Sequence, residues 1–542
     1  MAHTPMMRAF IRVIQRARCE NLKLKGAPLP IPREQISMKR RQLLQLAGTV
    51  SALGLITGVM PRAVFASGDS QPSIAIVGAG LAGLNAAYQL RKAGVYADVY
   101  EASQRAGGRV YSRSGLLGPG LVTEMGAEFI NTDHNDMLAL AEEFNLSLFD
   151  RRADTVNLTV PTSAYFLANK NWSEAELAEL LRPLVAQISH DADLLDKNWA
   201  RFAPKFDRYS VKDYLDRHAA LIPLPFIRTL IENTIRTEYG VEASESSALQ
   251  LLFLLPSVDG TAVELLGYSD ETYTVEGGNG RIIDGLTQAL HGQIQFGMAL
   301  SKIEKDHRDR YELSFTNGAQ VQARHVILAI PFTVLRQVQL DLPLPVKLRQ
   351  FIQDVDLGAN EKVQAGYAQR RWRQQGFSLE AWTDRGFSEV WDGSQRQSDR
   401  SDGVLTYFLG GDEVSRVNKR NADVVGADFT QALADFVPGL ATDATGAYAA
   451  TAWTHNPFSH GAYANFKPGQ LTRFANYFWI ESDTPGESQE VSIGRLLIAG
   501  EQVSDEYYGF MNGAAQTGRL AAGVVLRQLK LQQQAANRAS TG

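Results

Sequence analysis

Cysteine is nearly absent from this sequence, and the one that the 542-residue chain contains, Cys19, lies in its first 66 residues. The rest of the chain therefore has no disulfide, no cysteine metal ligand and no thiol nucleophile. An excess of positive charge is also absent, because 54 basic residues stand against 59 acidic ones, for a net charge of −5. Nucleic-acid binding is thereby excluded as a leading function, since phosphate backbones select strongly basic surfaces.

Internal repeats are missing too. No pattern recurs with a period of about 20 to 50 residues, and no heptad seam is present. Hydrophobic residues make up 44% of the chain and charged residues 21%, with 46 Gly and 20 Pro. This composition excludes a mainly disordered, collagen-like or polytopic membrane protein. The length exceeds the roughly 250 to 300 residues at which one core stops growing, so we predict two or more substructures.

The first 66 residues have the features of an export signal. Three basic residues at 39–41 precede an uncharged, mostly apolar run at 43–60, and residues 64–66 form a small-residue cleavage pattern. Residues 37–44 resemble a twin-arginine signal, which directs folded cargo. We therefore expect export by the twin-arginine (Tat) machinery to the periplasm or the extracellular space, or to the thylakoid lumen in a cyanobacterium. An uncleaved membrane anchor is the alternative, because a run of about 18 residues is just long enough to span a bilayer.

A glycine-rich loop follows, between a predicted strand and a predicted helix. Residues 73–77 are a β-rich apolar run, 78–83 read Gly-Ala-Gly-Leu-Ala-Gly, and a helical pattern continues to Leu90. The glycines permit a tight turn and the close approach of a pyrophosphate, to which the helix N-terminus offers free N–H groups. A second strand, 97–100, ends where a carboxylate can accept hydrogen bonds from an adenosine ribose. The predicted dinucleotide site comprises Gly78, Ala79, Gly80, Leu81, Ala82, Gly83 and Glu101.

Residues 101–109, Glu-Ala-Ser-Gln-Arg-Ala-Gly-Gly-Arg, indicate a family. They resemble the E-A-x-x-R-x-G-G-R signature of the flavin-containing amine oxidases, the family of monoamine oxidases and L-amino acid oxidases. The resemblance implies FAD as the cofactor and, with the export signal, an exported bacterial member. It covers about residues 73 to 526. Its further blocks, in the order of the family, are 126–127, 275–281, 326–331, 495–501 and 509–518.

The resemblance implies an α/β fold with a Rossmann-like FAD-binding domain that is assembled from discontinuous segments. A substrate domain with a mixed sheet and an inserted helical lobe complete it. The predicted boundaries are 1–66 for the signal, 67–135, 246–335 and 486–530 for the FAD-binding domain, 136–245 for the lobe, 336–485 for the substrate domain and 531–542 for a tail. The further FAD-binding residues that it implies are Ala102, Gly108, Arg109, Gly126, Ala127, Glu128, Leu300, Trp453, Gly500, Glu501, Phe510, Met511, Asn512 and Ala515.

Four residues are implied as catalytic. Lys362, with Trp372 ten residues later, resembles the family's lysine that reaches flavin N5 through a water. Trp453 resembles the residue that borders the flavin, and Tyr463 and Phe510 resemble the two walls of an aromatic cage for a neutral amine. Ala462 occupies the place of the flavin-linked cysteine of animal monoamine oxidases, so we expect non-covalent FAD.

The implied reaction is oxidative deamination of an amine or L-amino acid. Hydride passes to the flavin, the imine hydrolyses to a carbonyl and ammonia, and oxygen is reduced to hydrogen peroxide unless a quinone-type acceptor intervenes. Phe129 stands where L-amino acid oxidases of the family carry a carboxylate-binding arginine, which leaves a simple amine or recognition by another arginine such as Arg113. The candidate counter-charges for a cationic substrate are Glu128, Glu389, Asp392, Asp505 and Glu506.

We slightly favour a basic L-amino acid such as arginine or lysine over a polyamine or a monoamine. Two other classes of function compete with amine oxidation: a flavin desaturase or porphyrinogen-type oxidase, and a flavoprotein scaffold that binds a partner. The set Lys362, Trp453 and Tyr463 disfavours both, because neither role needs it. A homodimer is the expected assembly, and no metal site is expected.

Overall fold

A computed structural model describes residues 73–541 except 255–256, 260–261, 267–268, 418–419 and 483–485. The expected export signal and Cys19 lie outside the described residues. Within the described part of the chain, no helix is both long enough and apolar enough to cross a membrane.

A six-stranded sheet forms the first layer. Its neighbouring strands are parallel except at one edge, where the last pair is antiparallel. The two central strands are fully buried, as expected for parallel strands covered on both faces. The strand order is Ile294–Gln295, Asp98–Tyr100, Ile74–Val77, His325–Leu328, Leu496–Ile498 and Ser492–Ile493.

Helices from both ends of the described chain cover this sheet. The helix Leu81–Lys92 packs against the helix Met511–Thr541 and also against Gly280–Ala289. The approach of the first two is close, because a Cβ on Gly518 would lie 2.2 Å from the carbonyl oxygen of Ala82. The stretch predicted as a C-terminal tail continues the long helix as far as Thr541.

A seven-stranded sheet forms a second layer, in the order Ala444–Ala450, Asn360–Tyr367, Gly403–Gly410, Glu389–Asp392, Glu380–Thr383, Ser163–Leu167 and Lys170–Trp172. Side chains alternate between its two faces. One face carries Val363, Val390 and Tyr407 into an apolar core beside the helix Ala422–Ala434. The opposite face is therefore the one that can line a site.

Five helices make up most of the segment between 174 and 254: Glu174–Lys197, Trp199–Asp207, Val211–Arg217, Pro225–Tyr239 and Ala248–Leu254. The first begins with a capping box in which the Ser173 side chain accepts from the backbone of Glu176 and Glu176 accepts in return from that of Ser173. The fourth ends at Gly240, whose φ of 63° favours glycine.

Smaller elements complete the fold. A four-stranded sheet has the order Gln320–Ala323, Tyr311–Phe315, Leu300–Lys305, Gln339–Asp341. Two-stranded pairs join Ser112–Ser114 with Val122–Glu124, Leu148–Asp150 with Tyr273–Val275, Asp356–Leu357 with Ala464–Asn465, and Ser257–Asp259 with Ala262–Glu264. The other helices are Asn135–Glu143, Phe332–Leu335, Val346–Asp354, Trp372–Gln375, Asp412–Val417, Leu440–Asp443 and Gln470–Phe474. This mixture of helices and sheets confirms the predicted α/β class, while the domain boundaries stay predictions.

Candidate active site

A cavity of about 880 Å³ lies at the carboxyl ends of four parallel strands of the six-stranded sheet. Val77 and Tyr100 close two of the strands that end there, and residues 329–330 and 500–501 follow the other two. Ligands of open α/β sheets bind at this edge. Two helices also begin at the cavity, at Leu81 and at Met511.

The glycine-rich loop leaves room for a phosphate. Gly80 precedes the helix without a side-chain cap, and a Cβ added there would meet nothing within 4 Å. Gly78 has a φ of 102°, and its Cβ would lie 2.6 Å from the Ala329 carbonyl oxygen. The first turn of the helix contains no acidic residue. Its free N–H groups and its dipole therefore suit an anion at Gly80.

Two buried carboxylates hold the cavity wall in place. Glu101 accepts hydrogen bonds from the Ala79 amide at 2.8 Å and from the Ser103 hydroxyl at 2.7 Å. Glu501 pairs with Arg109 at 2.9 Å and accepts from the Gly509 amide at 2.7 Å. Glu101, Arg109 and Glu501 all line the cavity, so this wall offers both acidic and basic groups to a dinucleotide.

Most of the predicted FAD-binding residues line this cavity, and five do not. Gly83 instead lets the helix pack on the loop, because its Cβ would lie 2.0 Å from the Gly78 carbonyl oxygen. Asn512 caps the helix Asn135–Glu143, where its Oδ1 accepts from the Asp136 amide at 3.0 Å. The residues lining the cavity are Gly78, Gly80, Leu81, Ala82, Glu101, Ala102, Gly108, Arg109, Gly126, Ala127, Leu300, Trp453, Gly500, Glu501, Phe510 and Met511. The residues outside its lining are Ala79, Gly83, Glu128, Asn512 and Ala515.

A smaller cavity of about 80 Å³ adjoins the first. The two share Lys362, Tyr463 and Phe510 in their walls, and Trp453 lines the larger one. Three of the four residues predicted to be catalytic, which come from three distant parts of the sequence, are thus brought to one junction, while the fourth, Trp453, is placed only in the wall of the larger cavity. A molecule in the small cavity would sit between these side chains and a cofactor in the large one.

Aromatic side chains form the walls of the junction. The loop before Phe510 approaches Tyr463 closely, since a Cβ on Gly509 would lie 3.6 Å from the Tyr463 Cβ. The Phe510 ring packs edge-on against His134 at 5.2 Å, and burial lowers the pKa of His134 to about 3, so this imidazole is neutral. Burial also raises the pKa of Tyr463, which keeps its phenol neutral. The junction therefore offers apolar, uncharged faces to a substrate.

The ammonium group of Lys362 is fully engaged by the protein. It donates to Glu128 Oε2 at 2.7 Å, to the Gly126 carbonyl at 2.8 Å and to the Glu124 carbonyl at 3.2 Å, one acceptor for each N–H. Lys362 and Glu128 are only 4% and 6% exposed. Sequence reasoning placed Lys362 beside a water, and the role of Glu128 as its partner was missed.

The sheet register explains which side chains face the small cavity. Lys362 pairs with Phe408, and Phe408 pairs with Glu389 on the next strand, so all three project from one face. Trp391 follows Glu389 on that face, and Glu380 pairs with Trp391. The face opposite the apolar core thus presents a lysine, two aromatic rings and two carboxylates.

Two further glutamates complete an acidic end of the site. Glu238, Glu271 and Glu389 line the small cavity, and carboxylate oxygens of Glu271, Glu380 and Glu389 lie within 4.8 Å of one another. Burial raises the pKa of Glu238 to about 7. Burial and the neighbouring carboxylates raise the pKa of Glu271 to about 8, against the opposing charge of Arg151, and raise that of Glu389 well above its usual range. The cluster therefore retains protons near neutral pH.

Only part of the predicted substrate recognition lies here. Glu128 and Glu389 line the small cavity, whereas Asp392, Asp505 and Glu506 line neither cavity. Asp392 lies near two arginines instead, 3.9 Å from Nη1 of the buried Arg370 and 3.7 Å from Nη1 of the partly buried Arg373.

The alternative carboxylate-binding arginine is placed elsewhere. Arg113 lies on the strand Ser112–Ser114, is exposed, and donates to the Tyr111 hydroxyl, so it lines neither cavity. Phe129 does line the small cavity, and the guanidinium of Arg151 lies 3.9 Å from the centre of its ring. Arg151 itself is absent from the lining of the described cavities.

Known proteins share the sequence and the fold. The model of the family described as flavin containing amine oxidoreductase matches residues 81–526. Flavin-containing amine oxidase B of Homo sapiens is 22% identical over 476 residues, 84% of this chain and 86% of the human one. An L-amino acid dehydrogenase of Synechocystis is 24% identical over 494 residues, 87% of this chain and 98% of that protein.

Solved structures of two amine oxidases have this fold. Putrescine oxidase with bound putrescine superposes with a TM-score of 0.70 and 24% identity over 84% of this chain and 99% of that one. Cyclohexylamine oxidase from Brevibacterium oxydans superposes with a TM-score of 0.68 and 21% identity over 85% of this chain and 100% of that one. The predicted family and the FAD cofactor are thereby confirmed. The chain belongs to the flavin-containing amine oxidoreductases and is an FAD-dependent enzyme that deaminates amines oxidatively.

Proposed function

We propose that the substrate is a small amine or L-amino acid that carries a second positive charge, and that oxygen is the electron acceptor. The observation that carries this proposal is the acidic end of the small cavity, where Glu238, Glu271 and Glu389 face the space next to Tyr463 and Phe510. For a primary amine the reaction consumes the amine, oxygen and water, and yields a carbonyl, ammonia and hydrogen peroxide, one of each.

The protein residues bind, orient and shield the substrate. Bound FAD supplies the chemistry of accepting two electrons and a hydrogen from the α-carbon. Tyr463 and Phe510 hold the reacting amine between uncharged rings, which favours the neutral amine with its free lone pair. The Lys362 ammonium is held by Glu128 and two carbonyl groups. The Glu128 carboxylate neutralises the lysine charge, so that the substrate amine does not face an uncompensated cation. The carboxylates at the far end hold the distal cation.

Anaerobic absorbance of the FAD-loaded protein without residues 1–66 tests this function. The panel contains arginine, lysine, putrescine, a monoamine and an apolar amino acid, and air is then admitted with a peroxide assay. We expect bleaching of the flavin by compounds with two cationic groups, and recovery with formation of peroxide. Flavin that stays oxidised with every compound refutes the proposal, and slow recovery that only a quinone accelerates would identify a dehydrogenase.

Export is a separate proposal, supported by the twin-arginine pattern and the apolar run of the first 66 residues. Changing Arg40 and Arg41 to Lys in the full chain is expected to keep the FAD-containing protein in the cytoplasm, whereas the unchanged chain reaches the periplasm or the medium. Equal fractionation of the two forms contradicts a Tat signal. The homodimer stays a prediction, which light scattering of the purified protein measures.

A further inference from the structure

We propose that Glu238, Glu271, Glu380 and Glu389 form a receptor for the distal ammonium of an α,ω-diamine, and that this ammonium displaces protons that the carboxylates share in the free enzyme. The inference rests on the proposed function and narrows it, because it selects a dication without a carboxylate over a basic L-amino acid.

The receptor lies at a suitable distance from the reacting end. Glu389 and Lys362 are paired with the same residue, Phe408, and stand on the two strands that flank it. Their backbones are therefore two strand spacings apart, roughly 10 Å. Tyr463, Phe510 and Glu389 line the same small cavity, and a flexible chain of a few methylene groups has a length of this order.

The carboxylate of Glu389 has no hydrogen-bond or ion-pair partner among the residues that the structure describes. Glu389 is 4% exposed, lines the small cavity, and makes no hydrogen bond or ion pair with any of the residues that the structure describes. A buried carboxylate without a partner is costly unless it is protonated or binds a ligand. Glu380, in contrast, accepts from the Ser163 hydroxyl at 3.1 Å. The unpartnered group thus points to a ligand rather than to an internal salt bridge.

Charge around the receptor is unbalanced. Arg151 is the one cation beside it among the described residues, with its Nη1 3.6 Å from Glu271 Oε2. The other charged groups facing it are Glu128 and Lys362, which neutralise each other at 2.7 Å. Several close carboxylates cannot all ionise against one guanidinium. A bound ammonium adds the missing charge, and the carboxylates release protons as it binds.

An α-carboxylate finds no equivalent partner in this cavity. Lys362 is the one basic residue of its described lining, and the three N–H groups of Lys362 are already engaged. Arg151 stacks on Phe129 and does not line the cavity. An α-carboxylate is bonded to the reacting carbon, so it would lie beside the aromatic rings and Glu128 without a free cation, which favours a diamine.

Four compounds of similar length separate the two recognition elements. Cadaverine has the distal cation only, L-lysine has the cation and a carboxylate, n-pentylamine has neither, and L-norleucine has the carboxylate only. We expect kcat/KM for cadaverine to exceed that for n-pentylamine and for L-lysine by roughly 10- to 100-fold, as for a hydrogen bond to a charged group. Equal values for cadaverine and n-pentylamine overturn the receptor, and a preference for L-lysine overturns the selection against a carboxylate.

Proton release gives a readout that does not depend on turnover. Calorimetry is done on FAD-loaded enzyme that has been reduced with dithionite, because the reduced enzyme cannot oxidise the ligand. The titration is repeated in phosphate and in Tris at pH 7, since the difference in heat between the two buffers gives the number of protons released. Binding of cadaverine is expected to release more protons than binding of n-pentylamine. Glu389→Gln is expected to remove the difference, whereas Glu389→Asp retains it and Glu142→Gln, at an exposed helix position, leaves it unchanged. Equal release for both ligands, or unaltered release in Glu389→Gln, overturns the proposal.

Two outcomes have separate meanings. Bleaching of the flavin by n-pentylamine as readily as by cadaverine keeps amine oxidation and removes the receptor, whereas no bleaching by any amine removes the proposed function itself. Magnesium ion alone is added as a competitor in the calorimetry. Tight binding of the ion that Glu389→Gln abolishes would make the cluster a metal site and overturn its assignment to an organic cation.

Discussion

The pairing of Lys362 with Glu128 gives a prediction that a double-mutant cycle can test. Removing one partner of a buried ion pair costs about 3 to 5 kcal/mol. Glu128→Gln leaves the lysine two carbonyl acceptors, so we expect the lower end, about 3 kcal/mol. Lys362→Met leaves a buried carboxylate without its ion-pair partner, so we expect the upper end, about 5 kcal/mol.

The variant with both changes distinguishes a coupled pair from two separate contributions. The double variant buries no unpaired charge. The glutamine side chain introduced at position 128 lacks a hydrogen-bond partner, and a buried polar group without a partner costs about 1 to 3 kcal/mol. We therefore expect the double variant to be more stable than Lys362→Met alone. Urea unfolding, with FAD in fixed excess and followed by flavin and tryptophan fluorescence, gives the four free energies of unfolding. If the two single losses add to the double loss within about 0.5 kcal/mol, the coupling inferred from the structure is refuted.

Three further predictions concern the cofactor loop, the acidic end and turnover. Gly80→Ala is expected to fold normally and to lose FAD affinity, because its Cβ enters open cavity space. Gly83→Ala is expected to unfold at a lower urea concentration, because its Cβ meets the Gly78 carbonyl oxygen. Equal FAD titrations of Gly80→Ala and the unchanged protein contradict the phosphate site. The raised pKa of Glu271 means that the native state binds more protons than the unfolded state between about pH 4.5 and 8, so the free energy of unfolding of the ligand-free protein falls as pH rises through this window. Glu271→Gln is expected to make this fall smaller. Urea unfolding at several pH values measures it, and equal pH slopes for Glu271→Gln and the unchanged protein rule this out. Lys362→Met is expected to retain FAD while turnover slows, and stopped-flow kinetics that match the unchanged enzyme exclude Lys362 from the reaction.

The cofactor half of the molecule was predictable because its signals are local. The strand, glycine turn and helix at 74–92 are contiguous. Gly78 and Gly83 are packed against backbone atoms, and Gly80 leaves open space for a ligand, as the motif requires. Lys362, Tyr463 and Phe510 followed from resemblance, and the structure brings them to one junction, although their roles stay predictions. Asn512 shows the limit: its position fits a family block, yet its side chain caps a neighbouring helix.

The acidic end was largely missed because no spacing along the chain encodes it. Glu238 lies in the last turn of a helix, Glu271 lies in a loop, and Glu380 lies on a strand, so their proximity is set by packing alone. A weak signal was present in two strands, Glu-Ala-Trp at 380–382 and Glu-Val-Trp at 389–391, where alternation places the charged and the aromatic residue on one face. The pairing of Glu128 with Lys362 spans 234 positions and left no such signal.

The six-stranded sheet has a consequence for the order of events during synthesis. Three neighbouring strands of this sheet, Ile74–Val77, His325–Leu328 and Leu496–Ile498, are separated by long stretches of chain. Such non-local pairing forms slowly, and the third of these strands leaves the ribosome long after the first. Because Gly500 and Glu501 follow that strand in the cavity wall, the FAD pocket cannot close around its cofactor before these residues have been synthesised. A chain truncated before residue 496 therefore lacks one side of the pocket.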